Sequence, residues 1–336
     1  MPSRVTLQDV ADRAGTSRTT AHYVLTGRDR DMRIAEETRR RVMRAANELR
    51  YRPNLMARGL RTRVTRTIAL ITDTVATDAY AGGLIYGALA AAAERGYLLF
   101  VCETEEDPEL EAQLLGELAD RHVDAYLYAS MFTRDVELPA ELRSERVVLL
   151  NCRAPGSGCP AVVPDERAAG RDAARALLDA GYRDGIWLAG EPDQLVIAGM
   201  ERTAGIHEVL DEAGVALAGT VPCTWWPESA YEQFGALLDA GTRPAAVICM
   251  NDRVALGVYQ ALTARGRSVP ADASVVSFDD SDMAVWLQPP LSSIALPHRE
   301  LATAAVELLL SDVDLTDTEL RVPMPVRLRE SIAPPG

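Results

Sequence analysis

The chain has 336 residues, of which 35 are basic and 49 acidic, for a formal charge of -14, and 48% are hydrophobic. That composition excludes a disordered or collagen-like polymer and allows two or three domains with sizeable cores. The charge is uneven, because residues 1–66 hold 16 arginines against 7 acids (net +9) while the remaining 270 hold 19 against 42 (net -23). Such asymmetry points to a basic nucleic-acid or membrane arm on an acidic body.

The first nine residues are polar and lack an apolar signal-peptide core, and no uncharged stretch of 18 residues follows. The expectation is a cytoplasmic protein with no membrane partner. Five scattered cysteines (102, 152, 159, 223 and 249) without a CxxC pair indicate neither a disulfide framework nor a zinc site.

Residues 6–26 read as two short helices joined by a tight turn. Thr6 is a suitable N-cap for a helix in which Leu7, Val10, Ala11 and Ala14 follow helical spacing, and Gly15 supplies the left-handed residue that ends it. Ser17 caps a second helix reaching about Thr26. At 100° per residue, Ala21, Val24 and Leu25 share its inner face; Thr19, His22, Tyr23 and Thr26 lie opposite, with Arg18 and Thr20 on the flanks. Two helices crossing steeply over Ala11 and Gly15 make a helix-turn-helix, whose second helix enters the major groove. A third helix, about 35–49, turns Val42, Ala45, Ala46 and Leu49 inward. It leaves Arg39, Arg40, Arg41 and Arg44 exposed, and phosphate contact is favoured over a merely solvated face because the local charge excess adjoins the helix-turn-helix.

Pro53 opens a further helix of about seven residues, below the ~12–15 needed for stability alone in water. It therefore folds against its own domain, or it is a hinge that orders on DNA with Leu60 as an apolar wedge in the minor groove.

The segments 5–17 (VTLQDVADRAGTS), 33–39 (RIAEETR) and 51–54 (YRPN) occur in order and resemble the N-terminal domain of the lactose-repressor/galactose-repressor family of bacterial transcription regulators. The resemblance implies that Arg18, Thr19 and Tyr23 read bases and that Leu60 is the hinge leucine. The expected DNA-contacting set is Thr6, Ser17, Arg18, Thr19, Thr20, His22, Tyr23, Arg39, Asn54, Ala57, Arg58 and Leu60. Ala21-His22-Tyr23 departs from the Val-Ser-Arg or Val-Ser-His usual in the family, and the loop 28–32 is longer than common. Tyrosine lacks arginine's bidentate fork for guanine, so the operator is not carried over from better-known members.

From Thr67 onward, short apolar runs at 68–71, 98–101, 125–128, 147–150, 185–188, 246–249 and 274–278 alternate with amphipathic helices such as 82–95, 167–180, 200–213 and 252–264. Alternation of this kind builds parallel sheets covered by helices, and about ten strands exceed one convenient sheet. Two doubly wound lobes are expected, with a ligand cleft at the carboxyl ends of the strands. There is no P-loop, GxGxxG, GxSxG or paired histidine suited to metal, so no cofactor is expected and the protein is read as a non-enzyme. The acidic stretch 103–107 before Pro108 reads as a dipole partner at a helix start.

Polar and aromatic residues gather at strand ends: Asp73, Tyr80, Asn151, Arg202, Trp225, Asn251 and Asp279. Each alone could be a cap or a satisfied buried group, and Asp252 reads as a helix cap. Together they offer hydroxyl partners, a guanidinium anchor and an aromatic face for a sugar ring or base.

The segments 251–257 (NDRVALG), 274–280 (SVVSFDD) and 289–294 (PPLSSI), with 202–205 (RTAG), are similar to the same family's effector-binding core, which itself resembles periplasmic sugar-binding proteins. The likeness spans about 5–331. It implies an all-α helix-turn-helix head plus an α/β periplasmic-binding-protein-like core of two doubly wound lobes. The domains would be 1–50, a hinge at 51–65 and a core at 66–336, divided into an N-lobe (about 66–163 with 296–330) and a C-lobe (about 164–295). It further implies that Asp73, Arg202, Trp225, Asn251 and Asp279 contact the effector; Asn151 stands where many members have Asp, and Asp73 where a neutral residue is frequent. The expected protein is a homodimeric regulator, a repressor in most members, that binds a double-stranded pseudo-palindromic operator under control of a sugar-like effector. The alternatives are a sugar-binding receptor without a DNA function, a regulator with a protein effector and, third, a sugar-processing enzyme.

Overall fold

The computed structural model describes residues 5–51, 64–75, 82–190, 196–313 and 316–335. The chain divides into two compact units, Met1–Thr65 and Arg66–Gly336.

In the first unit, helices α1 (Leu7–Ala14), α2 (Arg18–Leu25) and α3 (Glu36–Glu48) enclose a small core of Val10, Ala11, Ala14, Ala21, Val24, Val42, Ala45 and Ala46. Thr6 and Asp9 form a capping box: the Thr6 Oγ1 accepts from Asp9 N at 3.3 Å, and the Asp9 carboxylate accepts from Thr6 N at 2.8 Å. Gly15 ends α1 at φ 62°, the left-handed conformation the turn requires. Ser17 caps α2 by accepting from Thr20 N at 3.0 Å. Ridges of alanine rather than larger residues let the three short helices approach closely, so a core of eight side chains suffices.

The second unit contains two six-stranded sheets among the described residues. The N-lobe sheet has strands β1 (Thr67–Thr72), β2 (Leu98–Glu103), β3 (Ala125–Asp135), β4 (Val147–Arg153), β5 (Ala161–Pro164) and β11 (Glu319–Val322), in the order β11-β5-β4-β3-β1-β2. The C-lobe sheet has β6 (Ile186–Ala189), β7 (Gly219–Val221), β8 (Ala246–Cys249), β9 (Ser274–Asp279), β10 (Ser292–Ala295) and β12 (Val326–Arg327), in the order β12-β10-β9-β8-β6-β7. All pairings are parallel except β10 with β12. Helices α4 (Gly82–Glu94), α5 (Pro108–Asp120) and α11 (His298–Leu309) cover the first sheet. Helices α6 (Glu166–Ala180), α7 (Ile197–Glu212), α8 (Pro227–Asp239) and α9 (Asp252–Thr263), with the short α10 (Asp282–Trp286), cover the second. Central strands are apolar on both faces because both faces are covered, as in β8, where all four residues are buried. Asp107 caps α5 through Glu109 N and Leu110 N, in agreement with the expected role of the acidic stretch before Pro108.

The C-terminal boundary of the N-lobe differs from the expectation of 330. Val326–Arg327 pairs with β10 of the C-lobe, and Met324 belongs to the C-lobe core. Pro323 and Pro325 bracket the change of sheet; lacking N–H groups, they interrupt the ladder that β11 would otherwise continue. The chain therefore crosses between lobes three times, after β5, after β10 and after β11.

Candidate DNA-reading head and effector cleft

Helix α2 leaves Arg18 and Thr19 exposed and Thr20, His22 and Tyr23 partly so, while Ala21 and Val24 are buried. The Tyr23 ring lies 5.9 Å from that of His22, and the Arg28 guanidinium sits 5.7 Å above it. Arg28 lies in the loop after α2 and was not among the expected DNA-facing residues. Thr6 and Ser17 use their hydroxyls as caps, and Arg39 shares its guanidinium with Asp29 (3.4 Å) and Glu36 (3.2 Å). Asn54, Ala57, Arg58 and Leu60 lie outside the described residues.

Between the lobes a cleft is lined from the N-lobe side by Met131, Phe132, Thr133, Asn151, Leu296 and His298. From the C-lobe it is lined by Glu166, Ala198, Arg202, Trp225, Asn251, Asp252, Arg253, Asp279 and Ser281. Five expected effector residues (Asn151, Arg202, Trp225, Asn251 and Asp279) thus converge, because each follows or faces the carboxyl end of a strand. Tyr80 lies outside the described residues. Asp73 is elsewhere: it borders a separate polar depression of the N-lobe with Glu106, Asp107, Glu111 and Arg134.

Arg202 is the centre of the wall. Its Nε donates to Glu166 Oε2 at 2.6 Å, its Nη2 to Glu166 Oε1 at 3.1 Å and Asp279 Oδ1 at 3.4 Å, and its Nη1 to the Met250 carbonyl at 2.6 Å. The guanidinium also stacks 4.6 Å from the Phe278 ring and 5.5 Å from that of Trp225. Burial opposes its charge, but Glu166 and Asp279 outweigh that and hold its pKa above the ordinary value. Helix α7 reaches this position because Gly170 of α6 and Gly205 of α7 let the two backbones touch. A Cβ at Gly170 would stand 2.1 Å from the Arg202 carbonyl oxygen, and one at Gly205 would stand 2.1 Å from that of Arg167. Glu166, at the start of α6, escaped sequence reasoning because a carboxylate in a first helical turn reads as a dipole partner.

Asp279 has its pKa raised, by desolvation first and by the Glu166 charge, against the pull of Arg202 and Arg253. Asp252 is not the cap that its position suggested. Asn251 is the N-cap of α9, accepting from Val254 N at 2.8 Å, while its Nδ2 donates to the Trp225 carbonyl at 3.3 Å. Asp252 is buried and accepts from the Ser277 hydroxyl, from Ser293 Oγ at 2.8 Å and from Ser281 N and Oγ at 2.7 and 2.8 Å. Burial, then the Asp279 charge, pushes its pKa up to about 6 against those hydrogen bonds. These bonds tie α9 to the turn at Asp279 and Asp280, whose φ angles are 99° and 50°.

On the N-lobe side, β3 slips register against β4 between Ala129 and Arg134, and the irregular stretch carries Met131, Phe132 and Thr133 into the cleft. Asp73 and Asn151 hold it. The Asp73 carboxylate accepts from Ser130 Oγ at 2.6 Å and Met131 N at 2.9 Å; Asn151 donates to the Ser130 and Met131 carbonyls, both at 3.0 Å, and accepts from Thr133 Oγ1 at 2.8 Å. Phe132 then meets Trp225 of the other lobe edge-on at 6.1 Å and 82°. None of residues 131–133 carried a sequence signal, since a bulge leaves no mark in the apolar alternation.

Residues 6–54 match the family model of bacterial regulatory proteins, lacI family, and residues 162–332 match that of the periplasmic binding protein-like domain. The regulator CelR of Thermobifida fusca is 33% identical, over 97% of this chain and 95% of its own. The protein belongs to the lacI family of regulators. The regulator AscG of Escherichia coli strain K12 is a further relative, 32% identical over 92% of each chain. Among solved structures, the lac repressor dimer bound to operator and the anti-inducer ONPF superposes with a TM-score of 0.83 at 24% identity, covering 98% of this chain and all of that one, and shows the shared fold. A CelR–cellobiose complex superposes at 0.68 with 28% identity, over 98% of this chain and all of that one. For this lacI-family member, the match at 6–54 falls on the head that carries the exposed face of α2, and the match at 162–332 includes all nine residues of the C-lobe wall of the cleft.

Proposed function

We propose that this lacI-family regulator binds a pseudo-palindromic operator as a homodimer and that a small sugar-like effector in the inter-lobe cleft sets its affinity. The observation that carries the reading is the wall around Arg202. A buried guanidinium, an Asp279 carboxylate that is 28% exposed and the Trp225 and Phe132 rings combine hydroxyl acceptors with aromatic faces, which suits a polyhydroxylated ring. The related CelR has been solved with cellobiose, which supports the same ligand class here. Arg18, Thr19, His22 and Tyr23 would meet base edges, and Arg41 and Arg44 phosphates.

A second copy of the chain is proposed to cover exposed apolar side chains: Tyr86 and Leu89 on α4 in the N-lobe, and Trp226, Val285 and Trp286 in the C-lobe. The effector then acts by shifting the relative position of the two N-lobes, and a coupling of ~1–3 kcal/mol changes operator affinity roughly 5–150-fold. The test has two stages. Selection from genomic fragments yields the operator; titration of the protein–operator complex with a sugar, nucleoside and sugar-phosphate panel then identifies the effector. Arg202→Met combined with Glu166→Leu, which leaves no unpaired charge in the buried wall, should abolish the response while basal operator binding persists, and an undiminished response would place the effector outside this cleft. Leu60→Ala should weaken operator binding and leave effector binding intact.

A further inference from the structure

Helix α7 carries two carboxylates seven residues apart, Glu201 and Glu208, hence on one stripe of its surface. Their partners differ. Glu208 accepts from Arg167 Nε at 2.8 Å and Arg171 Nη1 at 2.9 Å, both on the neighbouring α6 of the same lobe. Glu201 reaches across to the N-lobe. Its Oε2 accepts from Arg321 Nη1 of β11 at 2.9 Å and its Oε1 from Arg321 Nη2 at 3.4 Å, and Arg153 Nη1 at the end of β4 stands 3.7 Å from Oε1.

The two arginines are held from behind. Glu319 lies 3.3 Å from Arg153 Nη1 and 2.8 Å from Arg321 Nε, and Asp135 lies 3.5 Å from Arg153 Nε. Glu201 is 21% exposed and Arg153 25%, while Arg321, which makes the shorter bonds, is 37% exposed, so the cluster is partly open to solvent and salt screens it in part. Arg153 is two residues beyond Asn151 on β4, and Glu201 adjoins Arg202 on α7. Each side of the cluster is therefore continuous with a side chain of the cleft wall.

We propose that Glu201 is a positioning residue, an ionic latch that seats α7 of the C-lobe against β4 and β11 of the N-lobe and so sets the width of the cleft. Arg153 and Arg321 offer their guanidinium groups in a preset geometry, so losing the Glu201 charge leaves the longer Arg321–Asp165 pair at 3.9 Å as the remaining ionic tie of these arginines to the C-lobe and loosens the seating of α7 without disturbing the fold of either lobe. Because Phe132 and Trp225 touch across the same cleft, Trp225 reports the separation. The inference rests on the cleft reading only for its consequence, a changed effector affinity; its test needs neither effector nor DNA.

The test is 19F NMR of the full chain labelled with 5-fluorotryptophan, whose four resonances are assigned by single Trp→Phe variants. Glu201→Gln should move the Trp225 resonance, as Phe132 leaves its ring, and leave that of Trp187, inside the C-lobe, in place. Arg321→Gln should move it in the same direction. Glu208→Gln removes two ion pairs within the C-lobe, at least as short, from the same helix stripe and should leave it unmoved. Raising the salt concentration should carry the wild-type resonance towards the Glu201→Gln position. The proposal is overturned if Glu201→Gln leaves Trp225 unchanged, if Trp187 moves with it, if Arg321→Gln has no effect, or if Glu208→Gln has the same effect. Failure of the sugar panel would bear on the effector reading and leave this result standing.

Discussion

Arg202 and Glu166 form a two-pronged ion pair in the wall of the cleft, at 2.6 and 3.1 Å, with 3% of each side chain exposed. Such a pair loses its hydration on both sides, so its net worth is small while the cost of removing one partner is large. Glu166→Ala should destabilise the core by about 3–5 kcal/mol, because a buried guanidinium is left with Met250 O and Asp279 alone. Arg202→Met combined with Glu166→Leu should recover most of that loss. Urea unfolding of the two single variants and the double gives the coupling, and strictly additive losses would contradict the pairing.

The crossing of α6 and α7 sets where Arg202 stands. Gly170→Ala puts a methyl group against the Arg202 carbonyl and should cost about 1–3 kcal/mol, as overpacking does in a close helix contact. A thermal melt reads this directly. An unchanged Tm would mean that the backbones are farther apart than 2.1 Å from a Cβ at Gly170 implies.

Asp252 makes stability depend on pH. Its folded pKa of about 6 lies above the ordinary 3.8, so the folded state holds the proton more tightly. This group's contribution is fully present below about pH 4 and is lost as pH rises through 6. Asp252→Asn has no such titration. The stability difference between wild type and Asp252→Asn should therefore favour wild type more at pH 4 than at pH 7, and denaturant midpoints at the two values would decide it.

On DNA, two kinds of substitution in the head should separate. Tyr23→Ala should cost about 1–3 kcal/mol of discrimination at one base position and leave the other positions as they were. Arg41→Gln, on the exposed face of α3, should weaken all sequences alike and lower the salt slope by about one. Binding isotherms on the selected operator and its single-base variants, each at several salt concentrations, distinguish the two. A base-specific effect of Arg41→Gln would reverse its assignment.

The head was legible in the residues because its determinants are local. Thr6, Gly15 and Ser17 act within a turn of where they stand, and spacing alone separates Val24 from Tyr23. The lobes were legible as an alternation of strands and helices, and five cleft residues as polar punctuation at strand ends. Asp73 and Asp252 share that same punctuation yet point to other tasks, one holding the bulge of β3 and the other a ring of serines.

By itself, then, the sequence determined the order of elements, the capped head and the division of charge, all of which depend on neighbours within a few residues. The tertiary structure decided what long-range contacts decide: that Glu166 pairs with Arg202 across 36 positions, that Phe132 faces Trp225, and that Glu201 rather than Glu208 reaches the other lobe. No local pattern encodes those choices. They follow from where three chain crossings place two sheets, and a carboxylate on a helix surface takes whichever guanidinium that placement brings within about 3 Å.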